Sequence, residues 1–181
     1  CFSAVGGQFI LNQLFSSTTK NKFKTIMIFL GLLLACNWNK APQIDKDAQL
    51  YFDLGEVALR DKHYELSEKH SRNALRLDPY YNYARHNLAV SLFHQNRMED
   101  ALELAMQSAT ENPKRADTQL LIARIYQFQK RNDLAKKYFE QSLDKNSKSG
   151  MGQYYYGRFL YKVGDFSNAI VHLTKASQFL P

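Results

Sequence analysis

From Ala48 onward the apolar positions of this chain fall on a helical spacing. Tyr51, Leu54, Gly55 and Ala58 stand at i, i+3, i+4 and i+7, one stripe of a helix. Such stripes alternate with polar breaks and predict pairs of amphipathic helices, each about fourteen residues long, joined by short polar turns. The pattern then repeats. Leu54-Gly55, Tyr64, Ala74-Leu75 and Leu77-Asp78-Pro79 return thirty-four residues later as Leu88-Ala89, Met98, Ser108-Ala109 and Pro113. A third copy holds Ile122-Ala123, Ala135, Phe139 and Ser142-Leu143, and a fourth holds Tyr156-Gly157, Phe166, Ala169, Leu173, Ala176 and Pro181. No insertion or deletion breaks the register, so the copies run 48–81, 82–115, 116–149 and 150–181.

Two positions in each copy are held small. Gly55, Ala89, Ala123 and Gly157 share one, and Ser67, Ala101, Ala135 and Ala169 share the other. Small side chains there let the two helices of a pair approach closely. Pro79, Pro113 and Pro181 fall past the second helix and help to end it. One pair cannot cover its own apolar face, so neighbouring pairs must stack. The period and the Leu-Gly, Tyr, Ala, Phe, Ala, Pro pattern resemble the tetratricopeptide (TPR) repeat. That resemblance implies an all-α chain, a superhelix of antiparallel helix pairs with an inner groove.

In TPR arrays the first helix of each pair faces the groove. Mapped onto this sequence, the inner positions include Phe52 and Glu56, then Tyr83, His86, Phe93 and His94, then Leu120, Arg124 and Phe128, then Tyr154, Arg158 and Tyr161. Leu59, Val90, Asp117, Met151 and Lys162 fall on the same faces. Aromatics beside Arg and His are the composition of binding hot spots. The expected ligand is a peptide, extended or helical, with apolar anchors between those rings; the bland alternative is that some rings only pad helix contacts. Chaperone-binding TPR members clamp a terminal carboxylate with Lys and Asn in their first repeat. Phe52 and Glu56 stand there instead, and although Asn87 fits the second-repeat part, Asp117 and Leu121 do not fit the third. That clamp is broken.

The segment ahead of the repeats has a different character. Lys20, Lys22 and Lys24 precede Ile26–Leu34, a run that is apolar apart from Gly31. A basic stretch followed by a short apolar one is a secretory signal. Nine helical residues reach about 14 Å, roughly half of a bilayer core, too short for a stable span. Leu33-Leu34-Ala35-Cys36 resembles a bacterial lipobox, with Leu34 bulkier than usual at its site. The resemblance implies cleavage before Cys36 and lipidation of its thiol; an ordinary signal peptide with a chance cysteine is the alternative. By the same resemblance, to enteric lipoproteins, Asn37 after the cysteine implies sorting to the outer membrane of a Gram-negative cell, in its inner leaflet and facing the periplasm. Residues 1–19 are expected to be an upstream or incomplete leader, residues 20–35 the signal peptide, and residues 36–47 the lipidated cysteine and a linker. Trp38 is either an interfacial anchor or a solvated linker residue. The fourth copy ends without the polar cap a solenoid end normally needs, which suggests a continuing chain or a partner over that end.

Composition narrows the function. The formal charge is +7, and without the three leader lysines it is 21 basic residues against 17 acidic, a modest surplus with no basic stripe along a phosphate backbone. Nucleic acid is therefore not an expected partner. Both cysteines, Cys1 and Cys36, precede the repeats, so no disulfide can staple the repeat body. The histidines His63, His70, His86, His94 and His172 include no HExxH pair, and no phosphate loop or Gly-x-Ser-x-Gly elbow occurs. No catalysis, cofactor, metal or small-molecule substrate is expected. A lipid-tethered TPR array of this kind is similar to the type IV pilus biogenesis lipoprotein (pilotin) family. The residues that carry the similarity are the lipobox, Gln49-Leu50-Tyr51 before Leu54-Gly55, Tyr156-Gly157-Arg158-Phe159-Leu160, and Lys175-Ala176-Ser177. That family implies a secretin or another pilus component as partner. The competing expectations are a scaffold for peptidoglycan enzymes or outer-membrane protein assembly, and a non-catalytic fragment of a larger enzyme.

Overall fold

The computed structural model describes residues 45–180. The leader, the signal segment, Cys36, Trp38, most of the linker and Pro181 lie outside the described residues. Eight helices occur in order among those described, and no strand. They are α1 (Lys46–Arg60), α2 (Tyr64–Leu77), α3 (Asn82–His94), α4 (Met98–Glu111), α5 (Ala116–Phe128), α6 (Asn132–Lys145), α7 (Gly150–Lys162) and α8 (Phe166–Phe179). Each odd-numbered helix pairs with the even-numbered one that follows it.

The first helix starts at Lys46, earlier than the expected boundary at Ala48. Asp45 explains this: its Oδ1 accepts the backbone N–H groups of Asp47 (2.8 Å) and Ala48 (3.2 Å), an N-cap that pulls the end of the linker into the helix. The second helix of each pair ends in one recurring way. Asp78, Asn112 and Asn146 take extended conformations, and their carbonyls accept from Tyr81, Arg115 and Ser149 at 3.1–3.2 Å. Before Pro79 and Pro113 that conformation is enforced by the proline ring. Asn146 adopts it with Ser147 following, so the turn survives without proline.

The turn inside each pair also repeats. Lys62, Asn96, Lys130 and Gly164 have φ of 62°, 63°, 58° and 87°, all in the left-handed region. The next residue then donates its N–H back across the helix end, as in His63 to Ala58, Arg97 to Leu92, Arg131 to Tyr126 and Asp165 to Leu160, at 2.8–2.9 Å. These bonds satisfy carbonyls that the helix leaves open.

The small positions are where the helices meet. Ala89, Ala101, Ala123 and Ala135 are fully buried, as is Ser67, and Gly55 and Gly157 are buried beside their partner helices. The third copy places Phe139 where the others carry Ser71, Ala105 and Leu173. Its ring lies 5.4 Å from Tyr156 and 5.3 Å from Phe159, tying the third pair to the fourth. Several buried polar side chains are matched between elements. Ser91 Oγ donates to Ser67 Oγ (2.9 Å), Ser142 Oγ to the Ala116 carbonyl (2.9 Å), and Asn82 Nδ2 to the Ser108 carbonyl (3.0 Å). Arg85, almost fully buried, pairs with Glu111 and the Pro79 carbonyl.

The helices do not stack evenly. The backbones of first helices approach one another, α1 to α3, α3 to α5 and α5 to α7. Those of the second helices stay farther apart among those described, α4 and α6 meeting only through longer side chains such as Tyr138 on Met106. Spacing is therefore tighter along the first helices, and the stack curves with α1, α3, α5 and α7 on its inner side.

Candidate functional site

The inner side carries two groups of aromatic and cationic side chains. At the first end, the Phe52 ring lies 5.1 Å from Tyr81 and 6.2 Å from Tyr83, and the Arg115 guanidinium stands 4.6 Å over Tyr83. Glu56 is exposed beside them on α1. Burial holds the Arg115 guanidinium below its ordinary pKa, partly offset by Asp117.

The second group runs from the end of α3 across α5 to α7. Arg124 on α5 is held between two rings, 4.6 Å from the centre of Phe93 and 4.2 Å from that of Tyr155. A guanidinium stacked in this way keeps its charge while losing little rotamer freedom on further contact. Burial lowers its pKa, the neighbouring Arg158 adding to the effect. Phe128, at the end of α5, meets Phe93 edge-on at 5.4 Å and leaves 62% of its surface to solvent. His94 packs against Phe93 at 5.2 Å and stacks on Tyr64 at 4.4 Å. On α7, Arg158 lies 5.4 Å over the Tyr154 ring and its Nη1 donates to Tyr154 Oη at 3.3 Å. Tyr161 rests on Phe166 at 5.4 Å and is 63% exposed.

Between α5 and α7 these side chains enclose an open cleft of about 550 Å³, lined by Arg124, Gln127, Phe128, Lys130, Asn132, Tyr155, Arg158, Phe159, Lys162 and Val163. That volume is in the range of ligand pockets. No Asp or Glu lines it.

Three residues expected in the groove are interior instead. His86 is 7% exposed, its Nδ1 sharing a 3.0 Å hydrogen bond with Thr118 Oγ1 of the next pair. Burial, with help from Arg115, pushes its pKa down to about 3. Leu120 belongs to the central core. Phe93 is 4% exposed, covered by the Arg124 and Phe128 that it supports. For His86 and Phe93 the next helix pair covers a face that a single helix would leave open. Phe52, Glu56 and Tyr83 gather at the first end. His94, Arg124, Phe128, Tyr154, Arg158 and Tyr161 gather at the other. Tyr155 and Lys130 were not marked by sequence position. Tyr155 earns its place only through Arg124, and Lys130 lies in a turn beyond the helical register. Among the described residues no group of His, Cys, Asp and Glu is placed to hold a metal ion.

Sequence profiles of the tetratricopeptide repeat match residues 52–116 and 116–147, together more than half of the chain. The chain belongs to the tetratricopeptide repeat family. Its structure is similar to that of a thermophilic TPR protein of Thermus thermophilus, with a TM-score of 0.68 and 16% identity over 75% of each chain. It is similar also to YrrB, described as a TPR protein with an unusual peptide-binding site, with a TM-score of 0.58 and 15% identity over 75% of this chain and 70% of that one. A MamA double mutant gives a TM-score of 0.61 at 16% identity over 75% and 76%. No curated protein matches the sequence. At these identities the structural likeness establishes the TPR fold. That fold is a scaffold for protein interaction, typically without catalysis of its own.

Proposed function

We propose that this chain is a holder of another polypeptide, which it grips on the inner side of the TPR stack. The observation that carries the reading is the exposure of large rings that the fold does not need. Phe128 and Tyr161 leave over half of their surface in solvent, and Tyr83 leaves 49%, all on first helices, with Phe128 and Tyr83 beside cations. Rigid aromatic anchors next to arginine are the usual energetic centre of a protein interface. Selection of phage-displayed peptides tests the reading. Peptides enriched on the wild-type protein should lose binding to Phe128→Ala and Tyr161→Ala and keep it on Leu66→Ala, a change on α2. Equal retention by all three variants would refute an inner-side site.

We propose further that Cys36 carries lipid and tethers the array to the inner leaflet of a Gram-negative outer membrane, facing the periplasm. The support is in the sequence, the basic residues from Lys20, the apolar run to Leu34 and the Ala35-Cys36 junction. Confining the array to a membrane surface would raise its effective concentration for a partner arriving there. A secretin of the type IV pilus is the partner that the pilotin resemblance favours, and assistance in its localisation or multimerisation the corresponding role. Labelled palmitate should enter the wild-type chain and not Cys36→Ala, and the variant should leave the membrane fraction. A variant that still sediments with membranes would remove the tether from the account.

A further inference from the structure

The cations around the α5–α7 cleft are unspent. Among the described residues the ion pairs are Arg72–Glu68, Arg97–Glu68, Arg97–Asp100 and Arg85–Glu111, and none involves the cleft. Arg124, Lys130, Arg158 and Lys162 all line it. The charge of the repeats is divided in the same sense. Residues 112–180 hold twelve Lys and Arg against five Asp and Glu, whereas residues 45–111 hold eight against twelve. The surplus that looks interspersed along the sequence is thus confined to the half of the stack that contains the cleft.

We propose that the cleft between α5 and α7 receives an acidic segment of the partner polypeptide, its carboxylates meeting Arg158, Lys162 and Lys130 while an apolar side chain lies on Phe128. This rests on the reading of the chain as a polypeptide holder and adds the chemistry of what is held. The stacked Arg124 forms a fixed positive floor, so little ordering is needed when a carboxylate arrives. Opposite charge across the contact raises the association rate and sets register along the segment. A single-stranded nucleic acid fits less well. The ring faces of Phe93 and Tyr155 that bases would stack on are occupied by Arg124, and the acidic first half of the stack interrupts any track for a phosphate backbone.

Fluorescence anisotropy tests this with a fluorescein-labelled peptide of three Glu-Glu-Leu-Phe units, its counterpart with Lys for Glu, and a labelled dodecamer of thymidylate. The acidic peptide should bind, and more weakly as salt rises. Arg158→Glu with Lys162→Glu should weaken it about tenfold or more, and Lys69→Glu, on α2, should change it less than about twofold. Both sites are exposed, and circular dichroism verifies that each variant is folded. Unchanged binding in the double variant, equal binding of the basic peptide, or tighter binding of the thymidylate would each overturn the proposal. A salt-sensitive dimer in sedimentation that Arg158→Glu abolishes would also overturn it, since the acidic repeats of a second copy would then be the occupant. If a basic or neutral peptide binds and Phe128→Ala releases it, the acidic assignment fails while the holder reading stands. If no peptide binds and display selection enriches none, both fail.

Discussion

Gly157 and Leu173 leave no room between them for a methyl group. A Cβ built on Gly157 would lie 2.8 Å from Leu173 Cγ and 3.1 Å from its backbone nitrogen. At the matching position of the first pair, a Cβ on Gly55 would meet Ser71 Oγ at 3.4 Å and His70 Cβ at 3.6 Å, ordinary contacts. The same alanine substitution therefore has opposite consequences. Gly157→Ala should destabilise the chain by about 1–3 kcal/mol through overpacking. Gly55→Ala should stabilise it by about 0.5–1 kcal/mol, because a helix interior favours alanine. Urea denaturation of the two variants measures both signs.

The left-handed turn positions make a second opposed pair. Lys62 and Lys130 sit at positive φ without being glycine, whereas Gly164 has the residue that suits it. Lys130→Gly should be neutral or stabilising by up to about 1 kcal/mol, and Gly164→Ala should cost about 1–2 kcal/mol. Nothing lies within 4 Å of a Cβ on Gly164, so any loss there is purely one of backbone conformation. Thermal unfolding of both variants checks the pair.

His86 makes stability depend on pH. In the folded chain it stays neutral down to about pH 3, while its ordinary value is 6.5. Between those values the unfolded chain takes up a proton that the folded chain refuses. Stability is then full above pH 6.5 and falls on acidification toward pH 3, by about 1.4 kcal/mol per pH unit at most for this one group. His94 and His172 are shifted down by burial as well and act in the same sense. His86→Asn, which can still bond to Thr118, should flatten the slope between about pH 6 and 4 without abolishing it. An unaltered slope in denaturant midpoints would show that His86 is protonated where it lies.

Ala101 is fully buried between α3 and α4. Ala101→Arg should cost several kcal/mol, since an uncompensated charge would enter the core. Loss of far-ultraviolet dichroism at a temperature where the wild-type chain is folded would register it.

The pairing of helices was legible because close approach needs small residues, and Gly55, Ala89, Ala123 and Gly157 recur at a fixed step. The positive-φ turns were not, although they recur at the same step. Lys62, Asn96, Lys130 and Gly164 share a backbone conformation and no side-chain character. The inner face was half legible. Helical register gives the direction in which a residue points, and Phe128, Arg158 and Tyr161 lie open as expected. It does not say which residues the next pair will cover, so His86 and Phe93 are interior, Thr118 closing over one and Arg124 and Phe128 over the other, and Leu120 joins the core. The stacking of Arg124 between Phe93 and Tyr155 joins three helices, and no local spacing encodes it.

The inner-side binding claim is tested most directly by nuclear magnetic resonance, with a peptide selected on the wild-type chain titrated into isotope-labelled protein. The account predicts amide shift changes concentrated between residues 124 and 130 and between 154 and 162, on α5, its following turn and α7. Changes centred on α4, α6 or α8, with the α5 and α7 signals unmoved, would contradict it.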